Sequence, residues 1–333
     1  MGCSPTPGWS FAISSVPHPP PPSDPRACSP VDFSGLPVIT KSGYHRSLTT
    51  RSFLCHRLFH IAWSWLALDI WTLTARYDPY FVPGVASSTS HPLPPVLVRL
   101  PDPILSLVRS LAAVVGILSA LAWYLNLLQI VSFFTSCYPL FTYPSISGSF
   151  APILDRGLAG FWGSFWHQSF RAGFTAPTAY FARKQPIPPL LDACLTTFVA
   201  FLLSGLLHAA GGFTSLPVTT DISGPIAFFL LQFVGVVMQT ATTAIVRRYM
   251  PGASKLWRRA GNAIYVAVWL HMTNYLLIGD MSRSAIWLYE PVPVSPLRAM
   301  GFGTPGEAAW RWDETYIPKW YVGRRWWESG IRI

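Results

Sequence analysis

Five stretches of this chain stay apolar for the length a helix needs to cross a lipid bilayer, and no other feature narrows its fold as much. They run near 58–75, 111–134, 190–211, 225–246 and 260–279. A hydrocarbon core of about 30 Å takes roughly 20 helical residues to span. A sixth stretch, 284–302, is apolar but interrupted by Glu290, Pro291, Pro293 and Pro296, and reads as re-entrant or interfacial. Composition points the same way. Charged residues make up 11% of the 333 and hydrophobic ones 51%, where a soluble domain carries about a quarter charged. An apolar surface of that extent would aggregate in water. The expected fold is therefore all-α, a polytopic integral membrane helix bundle of about five to six spans, without internal repeats.

The N-terminal segment is of another kind. Its first forty residues hold ten prolines, including the run Pro19 to Pro22, and cannot bury enough apolar surface to offset their ordering entropy. The expected organisation is a disordered proline-rich segment over 1–45, a membrane domain over 52–302 and a polar, aromatic tail over 303–333. No basic region followed by an apolar core marks a signal peptide. Gly2 formally fits a myristoylation pattern, with Cys3 as a palmitoylation site, although a polytopic protein gains little from such an anchor. The five cysteines show no C-x-x-C spacing and suggest neither zinc nor a disulfide framework.

The net charge of +10 gives no reason to expect nucleic acid as a partner, because the basic residues sit between the apolar runs. Lys41, Arg46, Arg51 and Arg57 precede the first run. Arg156, Arg171, Arg183 and Lys184 lie between the second and third, and Arg247, Arg248, Lys255, Arg258 and Arg259 between the fourth and fifth. Between the third and fourth there is only Asp221. The positive-inside rule then puts the N-terminus in the cytosol, with the loop between the second and third runs on the same side.

That loop contains "GFWGSFWHQSFR", from Gly160 to Arg171. On a helix, Phe161 would meet Phe165, Trp162 would meet Trp166, His167 would meet Arg171 and Phe170 would meet Phe174 at i,i+4. Taken alone, such a segment reads as an interfacial aromatic belt. The third run, "LTTFVAFLLSGLLHAAGGF", carries His208 near its far end. An ionisable side chain inside a span is costly and by default marks function; the alternative is a hydrogen bond to a neighbouring helix. Ser204 and Gly205, just before it, are small enough for a helix or substrate to approach.

Together, "FWGSFWHQ" and "SGLLHAAGG" resemble the wax-synthase-like branch of the membrane-bound O-acyltransferases, whose fungal members include terpenoid and meroterpenoid tailoring enzymes. The branch pattern has phenylalanine-tryptophan-glycine, two basic residues, then tryptophan-histidine-glutamine. Phe161, Trp162, Gly163, Trp166, His167 and Gln168 match it, and Ser164 with Phe165 stand where the basic pair would be. The resemblance covers roughly 52–302 and extends to "WLYEPVPVSPLRAMGF". The helices many members carry before the first span are not found upstream, which leaves a truncated and a genuinely short chain both open.

The resemblance implies a coenzyme-A-dependent O-acyltransferase of the endoplasmic reticulum membrane, acetyl being the preferred group and a terpenoid or long-chain alcohol the acceptor. It casts His208 as the base that takes the alcohol proton, with acyl-CoA as co-substrate and no bound cofactor. His167 would orient a substrate or donate to the oxyanion, with Trp162, Trp166 and Gln168 as lesser contacts. Arg171, Arg183 and Lys184 would meet the coenzyme's phosphates. Asn126, His271 and Asn274 would line the acceptor cavity, although each, like Gln129, is equally readable as an interhelical hydrogen bond. His56 and His60 have a zinc-compatible spacing but no third ligand. Asp69, inside the first run, requires a partner. Two other classes stay in view. A membrane terpene cyclase needs intramembrane acids, of which Asp69 alone qualifies; a transporter or non-catalytic membrane protein would be expected to show repeat symmetry.

Overall fold

Helix starts follow local signals. Thr49 caps the first long helix: its hydroxyl accepts from Ser52 N at 3.2 Å, satisfying one of the amides a helix N-terminus leaves open. The structure, a computed structural model, describes residues 38–40, 43–75, 77–81, 95–135, 140, 143–185, 187–215, 222–283, 292–303, 306–312 and 319–332. The proline-rich segment up to residue 37, with Gly2 and Cys3, lies outside the described residues, as do Lys41, Arg76, Asp221 and 284–291 of the sixth apolar stretch.

In chain order the helices are α1 (Thr50–Ala75), α2 (Pro95–Val98), α3 (Asp102–Thr135), α4 (Ala151–Arg156) and α5 (Leu158–Gly160). A π-helical turn (Phe161–Phe165) comes next. Then follow α6 (Arg171–Lys184), α7 (Pro189–Ser215), α8 (Ser223–Tyr249), α9 (Lys255–Thr273), α10 (Tyr275–Arg283) and α11 (Pro296–Ala299). In the tail, β1 (Lys319–Tyr321) pairs antiparallel with β2 (Gly330–Arg332), Trp320 opposite Ile331. Charges complement the helix dipoles: Asp102 and Asp192 stand in the first turns of α3 and α7, and Arg247 with Arg248 in the last turn of α8.

The all-α membrane architecture stands. Three helices are long and apolar enough to cross a membrane: α3, α7 and α8. At 27 residues, α8 reaches about 40 Å. The first predicted run falls within α1, which has the length but also carries His56, Arg57, His60 and Asp69. The fifth predicted run is not one helix. It breaks at Asn274 into α9 and α10, just after Thr273 turns its hydroxyl back to Trp269 O at 2.8 Å. Such back-bonding bends helices, and Gln232 Nε2 donates to the same hydroxyl at 3.0 Å.

The chain divides into two compact units. The first holds Met1–Arg57, Leu127–Ala200 and Val236–Val266; the second holds Leu58–Asn126, Phe201–Gly235 and Ala267–Ile333. In the first, buried Phe53 packs against Phe133 and Tyr143, with ring centroids at 5.1 and 5.8 Å. Arg57 lies over the Phe53 ring and donates to Tyr143 O at 2.9 Å. In the second unit, Trp71 meets Phe81 edge-on at 4.9 Å within a cluster that includes Ala113 and Ile278. Gly116 lies so close to that indole that an added Cβ would come within 2.7 Å of it.

Asp69, also in the second unit, has found its partners. Its carboxylate accepts from Ser295 Oγ and from Leu297 N (2.9 Å), and Arg298 Nη1 lies 3.8 Å away. Ser295 in turn caps α11 by accepting from Arg298 N at 3.1 Å. Trp65 Nε1 donates to Val294 O at 2.8 Å, one helical turn from Asp69. Helix α1 thereby grips the 292–299 segment through an indole and a carboxylate.

Candidate functional site

In the first unit the aromatic segment is a wound turn followed by an extended residue, in place of the continuous helix its spacing predicts. Gly157 ends α4 with φ +61° and ψ −133°, a conformation open to glycine and costly to side-chain-bearing residues. There is also no room for a side chain: a Cβ would lie 1.9 Å from Gln239 Nε2. Leu158 N donates to Gln239 Oε1 at 2.7 Å. Gln239 Nε2 donates to Asn262 Oδ1 (3.0 Å), and Asn262 Nδ2 to Leu154 O (2.8 Å). An amide chain from α8 and α9 therefore fixes the start of the turn. Arg259 adds a bidentate pair to Asp155 at 2.7 and 3.0 Å, and this hydrogen bonding holds the carboxyl below its usual range.

The π turn closes through Trp166 N, which donates to Phe161 O at 2.8 Å, and Trp166 itself is extended (φ −64°, ψ 150°). Two side chains hold this exit. Tyr44 donates its hydroxyl to Trp166 O at 2.6 Å. Gln168 Nε2 donates to Trp162 O and Trp166 O at 2.8 and 2.7 Å. Burial pushes the Tyr44 phenol well above its ordinary pKa, with Gln168 and the Arg171 charge pulling the other way.

These bonds revise two expectations. His167 and Arg171 do not share a helix. His167 sits in the bend after the turn, half-buried beside Trp166 and Phe170 at 5.5 and 6.1 Å. Arg171 turns back to donate to Gly163 O (3.0 Å) and Gln168 Oε1 (3.1 Å). Gln168 is a strut of the loop, because both its amide protons go to the loop's own carbonyls, where a substrate contact was expected. The aromatic neighbours agree better with the prediction: Trp162 meets Trp166 at 5.6 Å and Phe170 stacks on Phe174 at 5.8 Å. Arg183 and Lys184 end α6, exposed, with Lys184 Nζ 4.6 Å over the Tyr180 ring.

The second unit holds the remaining candidates. His208 is on α7, with its ring 4.7 Å from that of Phe229 on α8. Gly205 makes this approach possible, since a Cβ there would come within 2.9 Å of Ile226 Cα. His208 Nδ1 lies 2.8 Å from Ser204 O. A carbonyl can only accept, so Nδ1 carries the proton and Nε2 presents a lone pair. The side chain is exposed on its helix.

His271 Nδ1 pairs with Ser110 Oγ on α3 at 2.9 Å, and Ser110 Oγ also lies 2.9 Å from Ser106 O. The single hydroxyl proton goes to Ser106 O, so His271 too is protonated at Nδ1. Asn126 Nδ2 donates to Ala122 O at 2.6 Å, and buried Asn274 marks the α9–α10 break. His60 Nδ1 accepts from Trp63 Nε1 at 2.9 Å. Sequence reading did not find Tyr44, Gln239, Asn262 or Arg298; only Asp69, by its need for a partner, pointed to one of them.

Residues 143–231 match the model of the "Membrane bound O-acyl transferase family". Among similar proteins, the acetyltransferase atnC of an Arthrinium species is 32% identical over 123 residues, 35% of this chain and 28% of that protein. The acetyltransferase aurG of Calcarisporium arbuscula is 30% identical over 178 residues, 52% of this chain and 42% of that protein. The acetyltransferase ataH of Aspergillus terreus is 27% identical over 275 residues, 76% of this chain and 86% of that protein. The chain thus spans less than half the length of atnC and aurG. No solved structure matches it. With its helical membrane architecture, the matched segment containing "FWGSFWHQ" and His208, and relatives named as acetyltransferases, the chain belongs to the membrane bound O-acyl transferases of the fungal acetyltransferase type.

Proposed function

We propose that this protein transfers an acyl group, acetyl by preference, from coenzyme A to the hydroxyl of a hydrophobic alcohol, with His208 as general base. The observation that carries the proposal is the His208 tautomer. Nδ1–H is held by Ser204 O at 2.8 Å, so Nε2 is the proton acceptor on an exposed edge of the imidazole. The alcohol oxygen attacks the thioester carbon as its proton passes to Nε2. The tetrahedral intermediate then collapses with cleavage of the carbon–sulfur bond, and the imidazolium returns the proton to the departing coenzyme A thiolate. No acyl-enzyme is needed. A positioned base contributes about 10² to 10⁴-fold. His167 keeps its expected role as donor to substrate or oxyanion, Trp162 and Trp166 that of substrate wall, and Arg171, Arg183 and Lys184 that of phosphate contacts. Asn126, His271 and Asn274 keep theirs toward the acceptor.

The names of the relatives support acetyl as the group. A terpenoid or long-chain alcohol as acceptor, and the endoplasmic reticulum with a cytosolic N-terminus as location, follow from the sequence resemblance and the positions of the basic loops. The cyclase reading is disfavoured, because Asp69, the acid it needs, is engaged by Ser295, Leu297 N and Arg298.

The test uses microsomes from a host expressing the chain, incubated with labelled acetyl-CoA and a pool of terpenoid and fatty alcohols. A His208→Ala protein at matched expression is the control. An ester formed only by the intact protein is expected. Undiminished turnover by His208→Ala would remove the base from the mechanism, and no ester from any donor would reject the activity.

A further inference from the structure

The π turn lies between two cations. Arg156, the last residue of α4, donates through Nη2 to Ser164 Oγ, and Ser164 is buried. From the other side Arg171 donates through Nη1 to Gly163 O at 3.0 Å. Two exposed guanidinium groups therefore bracket the Gly163–Ser164 peptide. Beside them there is room, because a Cβ built on Gly163 would meet nothing within 4 Å.

Acids offer these cations little competition. Among the described residues of the first unit the only carboxylates are Asp155 and Asp192. Asp155, the chain neighbour of Arg156, is held by both prongs of Arg259. Each guanidinium has five N–H donors in a planar fork suited to phosphate oxygens, and the bonds to Ser164, Gly163 and Gln168 use only part of each set.

We infer that Arg156 and Arg171, flanking the open face of Gly163, form a corner that binds a phosphate group of the acyl donor. The inference rests on the acyltransferase reading and adds Arg156 to it. Ser164 leaves its own position neutral; Arg156 supplies a positive charge there from eight residues upstream, with the Ser164 hydroxyl orienting it.

The test is direct binding to the full chain purified in maltoside micelles, which contain no phosphate. Calorimetry would compare coenzyme A, pantetheine (which has no phosphate) and phosphatidic acid. Arg156→Ala should weaken coenzyme A binding about ten-fold, as expected for loss of a charge-assisted contact, and leave pantetheine unchanged. Arg156→Gln, which can still donate to Ser164 but has no charge, should behave like Arg156→Ala, whereas Arg156→Lys should recover most of the affinity. Wild-type affinity for coenzyme A in Arg156→Ala and Arg156→Gln would overturn the corner and leave the acyltransferase reading in place. A wild-type protein that binds no coenzyme A would overturn both. Phosphatidic acid bound more tightly than coenzyme A, with the same dependence on Arg156, would give the corner to a lipid headgroup and reject its assignment to the donor.

Discussion

Replacing Asp69 by alanine should be among the most damaging single changes in the second unit, and the structure allows the damage to be apportioned. The Asp69 and Arg298 side chains are each 1% exposed. Removing the carboxylate takes the acceptor from Ser295 Oγ and Leu297 N and leaves Arg298 with Glu307, whose Oε2 is 3.4 Å from Arg298 Nε. Breaking a buried pair from one side costs about 3–5 kcal/mol. Each hydrogen bond to a charged group is worth about 1.5–3 kcal/mol, but these losses overlap because they share one carboxylate, so about 4 kcal/mol is expected in all. Asp69→Asn keeps an acceptor for one donor and should cost about 1–2 kcal/mol. Thermal unfolding of the purified chain in detergent reads the order wild type, Asp69→Asn, Asp69→Ala. Arg298→Met added to Asp69→Leu should cost far less than the two single changes summed, because the pair is coupled. An Asp69→Ala protein that melts with wild type would refute this account. Loss of turnover in Asp69→Asn at unchanged melting would make Asp69 an acid of the reaction and revive the cyclase.

Three other outcomes are expected. His167→Ala should lower acetyl transfer by at least about ten-fold with expression and insertion unchanged; unaltered kinetics would make the segment an aromatic anchor. Gly157→Ala should destabilise by about 1–3 kcal/mol from backbone strain alone, and more by displacing Gln239. Limited proteolysis within the turn would detect both effects, and a resistant variant would show that the amide chain does not hold it. Tyr44 gives a pH dependence whose sign is fixed. Because its folded pKa is raised by burial, its contribution is fully present below the unfolded phenol value of about 10 and is lost as pH rises through the folded value. Melting temperature above pH 10 should therefore fall more steeply in wild type than in Tyr44→Phe; parallel curves would contradict it.

The helices of this protein were legible wherever hydropathy alone decides. Runs in α3, α7 and α8 are apolar without interruption, and lipid selects for that directly. The α9–α10 break was not legible, because it accompanies a hydroxyl of Thr273 bonding back along its own helix, and hydropathy carries no trace of that. Within "FWGSFWHQ" the aromatic spacing anticipated the ring contacts but not the backbone. Tyr44, 122 residues before Trp166 in the chain, and Gln168 hold the exit of the turn, and no local periodicity encodes a bond of that range. Asp69 shows the boundary well. A carboxylate in an apolar run announces that something must satisfy it, whereas Arg298 and Ser295, more than two hundred residues away, carry no reciprocal signal. His208 was found by its type and place; its tautomer needed the position of the Ser204 carbonyl.

The π turn also determines how this segment responds to changes of length. A turn closed from Trp166 N to Phe161 O contains one residue more than an α-helical turn would. Deleting any one residue of Phe161–Phe165 would let the backbone relax into a regular helix and rotate all that follows by about 100° about the axis. The Trp166 carbonyl would then turn away from Tyr44, and His167 would face a new direction, without one substitution in "WHQ". Composition in this segment is thus more forgiving than spacing: exchanges among aromatics preserve the phase of the chain, and a one-residue deletion destroys it.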